Sequence, residues 1–113
     1  MSRLRKRPGT KQYLESQSHI LLDGAKYKGK WQQYFGNDHP IHAELGMGKG
    51  KFISEMSLKY PEINFIGIDM YDPLVRQASE KAIQMRENHN VSGMENIVLL
   101  RFNIEAIEQL FAA

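Results

Sequence analysis

Glu44, Gly46, Gly48 and Gly50 stand together in one stretch, Ile-His-Ala-Glu-Leu-Gly-Met-Gly-Lys-Gly-Lys-Phe (41–52). Glycines at alternate positions let the backbone turn at positive φ and let a ligand lie directly on the chain. A helix opening behind them offers N–H groups that have no partner inside the helix. This is chemistry for holding a nucleotide-like cofactor. Glu44, two residues ahead of the first glycine, narrows the choice. A carboxylate there repels a pyrophosphate and suits a cationic ligand, one carrying an ammonium or a sulfonium. Asp69 ends a second apolar run, Ile-Asn-Phe-Ile-Gly-Ile-Asp (63–69). An acid about 20 residues past the first glycine is where a nucleotide-binding α/β unit places its acceptor for the ribose hydroxyls. Asn103 follows a third apolar run, where it suits either a helix N-cap or a ligand contact.

The dinucleotide fingerprint is G-x-G-x-x-G, and here the third glycine comes one residue early, with Lys51 at the dinucleotide position. A nucleotide-dependent oxidoreductase domain therefore remains the rival enzyme reading, disfavoured by the spacing and by Glu44. His39 and His42 invite a metal reading, but no third ligand lies near them and zinc needs three or four. With no cysteine, the chain has no disulfide framework and no thiol nucleophile.

The elements that must position these residues follow from periodicity and breakers. Residues 1–9 read as an arm closed by Pro8-Gly9, and Thr10 as the cap of a short helix carrying Tyr13 and Leu14. Tyr27, Trp31, Tyr34 and Phe35 have the spacing of one helical stripe over residues 26–35. Gly36-Asn37-Asp38 stops that helix, and Pro40 introduces the first strand. The helix after the glycines runs over about 49–58 with Phe52, Ile53 and Met56 inward, and Pro61 ends it. Asp72-Pro73 reads as an N-cap and first-turn proline, with Leu74, Ala78, Ala82 and Met85 as the inner stripe. A loop over 88–96 leads to the third strand, Ile-Val-Leu-Leu-Arg-Phe (97–102). Ile104, Ile107, Leu110 and Phe111 then mark one face of a last helix. Alternating strands and helices with right-handed crossovers give an α/β fold with a parallel sheet. Glu44, Asp69 and Asn103 belong to the carboxyl ends of three successive strands, so they should meet at one crevice.

The 113 residues bound the answer to one domain. No run approaches the ~20 apolar residues of a membrane helix, and no apolar signal core follows the basic start. A cytoplasmic location and no membrane partner are the resulting expectations. The net charge of +2 hides an asymmetry, because residues 1–11 carry Arg3, Arg5, Lys6, Arg7 and Lys11 and no acid. A basic arm on a mildly acidic body suggests contact with a polyanion. A non-catalytic RNA-binding module, using the arm and the aromatic residues, is the rival reading outside enzymes.

The glycine stretch resembles motif I of the class I S-adenosylmethionine-dependent methyltransferases. Together with Gly29-Lys-Trp31, Phe35-Gly-Asn-Asp38, Pro40-Ile-His42, Gly67-Ile-Asp69 and the start Arg3-Leu-Arg-Lys-Arg-Pro8, it resembles the bacterial tRNA (guanine-N(7)-)-methyltransferases. The resemblance runs along essentially the whole chain. It implies a Rossmann-like class I methyltransferase fold, S-adenosylmethionine as donor and tRNA as acceptor, with methyl transfer to N7 of a guanine. It implies that Glu44 contacts the cofactor and that Asp69 accepts from the ribose hydroxyls. Asn103 stands where the family has an aspartate on the adenine side. It implies that Gly46, Gly48 and Gly50 form the cofactor loop and that Arg3, Arg5, Lys6 and Arg7 contact tRNA. The family continues into a Ser-Asp-Pro-Trp-like segment that supplies the catalytic aspartate, and nothing here matches it, so no catalytic residue is assigned. The expected architecture is therefore an N-terminal half. Residues 1–40 would be a basic arm and N-terminal helices, and 41–113 a cofactor-binding half with three parallel strands and flanking helices. Such a half should expose a sheet edge and leave Ile104, Ile107 and Phe111 bare, favouring a homodimer through that edge or marginal stability, and it should transfer no methyl group alone.

Overall fold

A computed structural model describes residues 7–112. The sheet is built around the most apolar strand. Asn64–Asp69 is buried at every position and pairs on both sides with parallel neighbours, as a strand covered on both faces must. In chain order the strands are β1 (Ile20–Leu21), β2 (Ile41–Leu45), β3 (Asn64–Asp69) and β4 (Ile97–Arg101). They form a four-stranded sheet in the order β1-β4-β3-β2. Every pair is parallel, with Glu44 opposite Gly67, Asp69 opposite Arg101 and Ile20 opposite Leu99. The helices are α1 (Thr10–Ser16), α2 (Trp31–Phe35), α3 (Lys51–Lys59) and α4 (Asp72–Asn88), with 3-10 segments at Gly24–Tyr27 and Ile104–Gln109.

Successive strand residues face opposite sides, and that alternation divides the core in two. Phe65, Ile97 and Leu99 face α1, α3 and α4, packing with Leu14, Ile53, Val75, Ala78 and Ala82. Ile66, Ile68, Val98 and Leu100 face the other way, onto Trp31 and Leu110. Gly67 sits on the first side. A Cβ there would lie 2.6 Å from Met47 Sδ and 2.7 Å from Ile53 Cδ1, so its bareness admits both the glycine loop and α3. On the second side Trp31 Nε1 donates to Leu110 O at 2.7 Å, latching α2 to the last segment.

Several expectations change. A fourth strand, β1, joins the three expected ones, so part of the N-terminal segment belongs to the same sheet. The aromatic stripe of 26–35 is split between a 3-10 turn and a five-residue α2, because Gly29 takes φ 73° between them. Gly9, not Thr10, caps α1, and the Thr10 hydroxyl donates to Arg7 O. Tyr71, not Asp72, is at the N-cap of α4. The inner stripe of α4 is Val75, Ala78, Ser79, Ala82 and Arg86, rotated from the expected one. Phe52 is exposed on α3, whereas Ile53 is buried. The last segment is a kinked 3-10 helix, broken at Ala106. Ile104, Ile107 and Phe111 are not bare but pack against the Trp31 cluster. Among the described residues, the exposed large apolar ones are Leu45, Phe52, Met70, Tyr71 and Val91 instead.

Candidate functional site

The β2–α3 loop holds its shape by three left-handed glycines, Gly46 at φ 76°, Gly48 at 57° and Gly50 at 83°. Its start is pinned to the end of β3, where Ile68 O accepts from Gly46 N at 2.8 Å and from Met47 N at 3.0 Å. Its end is pinned by packing. A Cβ on Gly50 would meet Ala78 Cα at 2.6 Å, so α3 and α4 touch backbone to backbone there. Gly48, between the two, has nothing within 4 Å of its missing Cβ. Tight at both ends and open in the middle, the loop is a cradle.

Asp69 closes the cradle from β3. Its Oδ2 accepts from Gly48 N at 3.1 Å, and its Oδ1 accepts from Met70 N at 2.9 Å and Tyr71 N at 3.3 Å. The residue is 6% exposed. A carboxylate has about four acceptor sites, so three backbone donors leave room for about one more. Asp69 thus shapes the loop and keeps limited capacity for a ligand hydroxyl. The first of these roles was not visible in the sequence.

Glu44 lies on β2, two residues before the loop. Its Oε1 is buried and has no hydrogen-bond partner, and burial holds its pKa above the usual carboxylate range. It lines a cavity of about 290 Å³ with Phe52, Ile53, Met56 and Phe65. An orphaned buried carboxylate oxygen is costly, and a donor or cation would satisfy it. Asn103 sits two residues past β4, exposed, with its Oδ1 accepting from Glu105 N at 3.0 Å. Its capping role is therefore filled. The turn it begins comes close to the loop, since Ile104 Cδ1 lies 3.8 Å from the missing Cβ of Gly46. The parallel topology brings Glu44, the glycines, Asp69 and Asn103 to one end of the sheet.

Of the basic residues, Arg7 forms an ion pair with Glu80, while Arg3, Arg5 and Lys6 lie outside the described residues. Sequence reasoning passed over Met70, Tyr71 and Arg101, which crowd the same end beside Asp69. The available signal was an adjacent Met-Tyr pair directly after a strand-ending acid.

Parallel strands, the glycine loop after β2 and the acid ending β3 define a Rossmann-like class I methyltransferase fold. A solved structure titled "Structure of an antibiotic related Methyltransferase" matches this fold with TM-score 0.52 at 19% identity, over 68% of this chain and 37% of that one. A family model described as "Putative methyltransferase" matches residues 38–113, and the chain belongs to that methyltransferase family. Membership implies a methyl donor. Among curated relatives, the tRNA (guanine-N(7)-)-methyltransferase of Lachnoclostridium phytofermentans is 41% identical over 97% of this chain and 48% of its own length. Those of Enterococcus faecalis and Streptococcus equi subsp. zooepidemicus are 42% and 44% identical, over 49% and 50% of their lengths. The chain spans about half the length of the curated relatives it matches.

Proposed function

We propose that this chain is the donor-binding half of a tRNA (guanine-N(7)-)-methyltransferase, which moves a methyl group from S-adenosylmethionine to N7 of a guanine in tRNA. The observation that carries the donor assignment is the meeting of Asp69 with the open glycine loop. Similarity of 41–44% along nearly the whole chain supports the acceptor. The residues fit the donor. Gly48 leaves space on the loop, Asp69 has an acceptor site left for a ribose hydroxyl, and Glu44 Oε1 lacks a donor that an ammonium group would supply. Asn103 would face the adenine side. When bound, the cofactor supplies an electrophilic methyl on a sulfonium. The accepting ring nitrogen brings its own lone pair, so no side chain need act as nucleophile, and the work of these residues is orientation. The basic arm would hold tRNA phosphates, and a cytoplasmic location would go with that substrate. No helix among the described residues is long and apolar enough to cross a membrane.

Edge strand β2 is paired only with β3 among the described residues and exposes Leu45, while α3 exposes Phe52. An open edge of this kind favours association of two copies, and light scattering would show twice the monomer mass. The functional reading is tested by titrating the chain with S-adenosylmethionine and with NADH. Binding of the first alone supports it, and binding of NADH alone would replace it with an oxidoreductase domain.

A further inference from the structure

Beside Asp69, on the α4 side, a cleft of about 610 Å³ opens between Arg7, Tyr71 and Arg101. Three observations make it unlike an ordinary surface dent. Tyr71 and Met70 stand next to each other 52% and 46% exposed, where a loop would ordinarily carry polar residues. The cations flanking them are engaged only in solvent-exposed pairs. Arg101 Nη1 is 3.4 Å from Asp72 Oδ1, and Arg7 pairs with Glu80, both pairs being about 40% exposed. Exposed pairs of this kind contribute little, so either arginine can turn to another anion at small cost. Last, the arm is tied down at this spot. Arg76 donates to Pro8 O at 3.1 Å and to Thr10 Oγ1 at 3.0 Å, and its guanidinium lies 5.2 Å from the Tyr13 ring centroid. Arg7 is thereby held as a wall of the cleft. Lys6, Arg5 and Arg3 precede it in the sequence.

We propose that the Arg7–Tyr71–Arg101 cleft is the RNA-docking surface beside the donor site. It takes one nucleotide, the base on the Tyr71 ring and its phosphate between Arg7 and Arg101. This rests on the tRNA reading above and names where on this chain the RNA lies. Aromatic rings stack bases that have left a helix, and flanking cations hold the backbone. An acidic peptide would use the arginines but not the ring, which favours RNA. Arg76 is a positioning residue. It touches no RNA itself but fixes where the arm leaves the fold.

The test is anisotropy of labelled tRNA with the full 113-residue chain, alongside calorimetry with S-adenosylmethionine. Tyr71→Ala should weaken tRNA binding by roughly five- to a hundredfold, the range for loss of one stacked base, and Tyr71→Phe should restore it. Arg101→Gln should lower the slope of log affinity against log salt by about 1. Lys59→Gln, at the far end of α3, should leave that slope unchanged. Affinity for S-adenosylmethionine should stay at the wild-type value in all four variants. Wild-type tRNA affinity in Tyr71→Ala and Arg101→Gln would overturn the docking surface and leave the donor site standing, as would a wild-type chain that binds donor but no tRNA. Parallel loss of donor and tRNA affinity in Tyr71→Ala would overturn it too, by placing the ring in the donor site. A wild-type chain that binds no S-adenosylmethionine would instead overturn the function proposed above.

Discussion

The two ends of the parallel sheet are built from similar polar residues and use them in opposite ways. At the amino end, Asn96 Nδ2 donates to Ser57 O, Tyr60 O and Ile63 O, and its Oδ1 accepts from Arg86 Nη2 at 2.8 Å. Arg86 Nη2 also reaches Ser57 Oγ. This knot is buried and closes the ends of α3 and α4 and the turns entering β3 and β4. At the carboxyl end, Gly48 faces open space, Glu44 keeps an oxygen without a partner, and Met70 and Tyr71 stand in solvent. Buried polar groups that answer one another hold a fold, and the amino end meets this only in part, since Arg86 Nε and Asn64 Oδ1 also lack partners. If that contrast is right, changes at Asn96 should lower stability and spare donor binding, and changes at Gly48 or Asp69 should impair donor binding more than stability.

The largest stability loss should come from Asn96→Ala. It strips a donor from three carbonyls and an acceptor from a buried guanidinium. Each buried group so deprived costs roughly 1–3 kcal/mol, and a total of about 3–5 kcal/mol should appear in urea unfolding. Gly50→Ala comes next. Its Cβ would strike Ala78 and force a left-handed alanine, about 2–4 kcal/mol in all. A third loss depends on pH. His19 is buried, its Nε2 2.7 Å from Ser79 Oγ, and burial together with the Arg86 charge lowers its pKa to about 4. The folded protein therefore keeps His19 neutral where the unfolded chain, with a histidine pKa near 6.5, already binds a proton. Stability should be full above pH ~6.5 and fall as pH drops toward ~4, by roughly 2–3 kcal/mol. His19→Gln should flatten that part of the profile.

Gly48→Val should be mildest for the fold, about 1–2 kcal/mol for the left-handed backbone alone, since its side chain meets nothing. Yet it should abolish donor binding by filling the cradle. A Gly48→Val chain that binds S-adenosylmethionine normally would show the loop to be only a turn.

Strands β2, β3 and β4 and the loop between β2 and α3 could be read from the sequence because several signals coincide there. Apolar runs end in an acid or in glycines, and Pro61 and Pro73 mark the boundaries. β1 could not, since two residues carry no period, and their pairing with Leu99 and Leu100 is a long-range fact. The Ile104–Phe111 stripe was misread as an uncovered helix because apolar spacing does not distinguish a kinked 3-10 segment, nor reveal that Trp31 would pack against it. Phe52 and Ile53 are adjacent, and which one turns inward depends on where Gly50 sets the start of α3. Asp69 was legible as the acid that ends β3. Its bonds to Gly48, Met70 and Tyr71 were not, because backbone donors leave no mark in the sequence.

The contrast between the two ends turns on whether the carboxyl end binds the donor through Asp69. Calorimetric titration of S-adenosylmethionine into the wild-type chain and Asp69→Ala measures this directly, with Lys59→Gln as a control. Loss of a hydrogen bond to a charged acceptor costs roughly 1.5–3 kcal/mol, so the account predicts a tight wild type, an unchanged control, and Asp69→Ala weaker by about ten- to a hundredfold. Equal affinity in wild type and Asp69→Ala would contradict it.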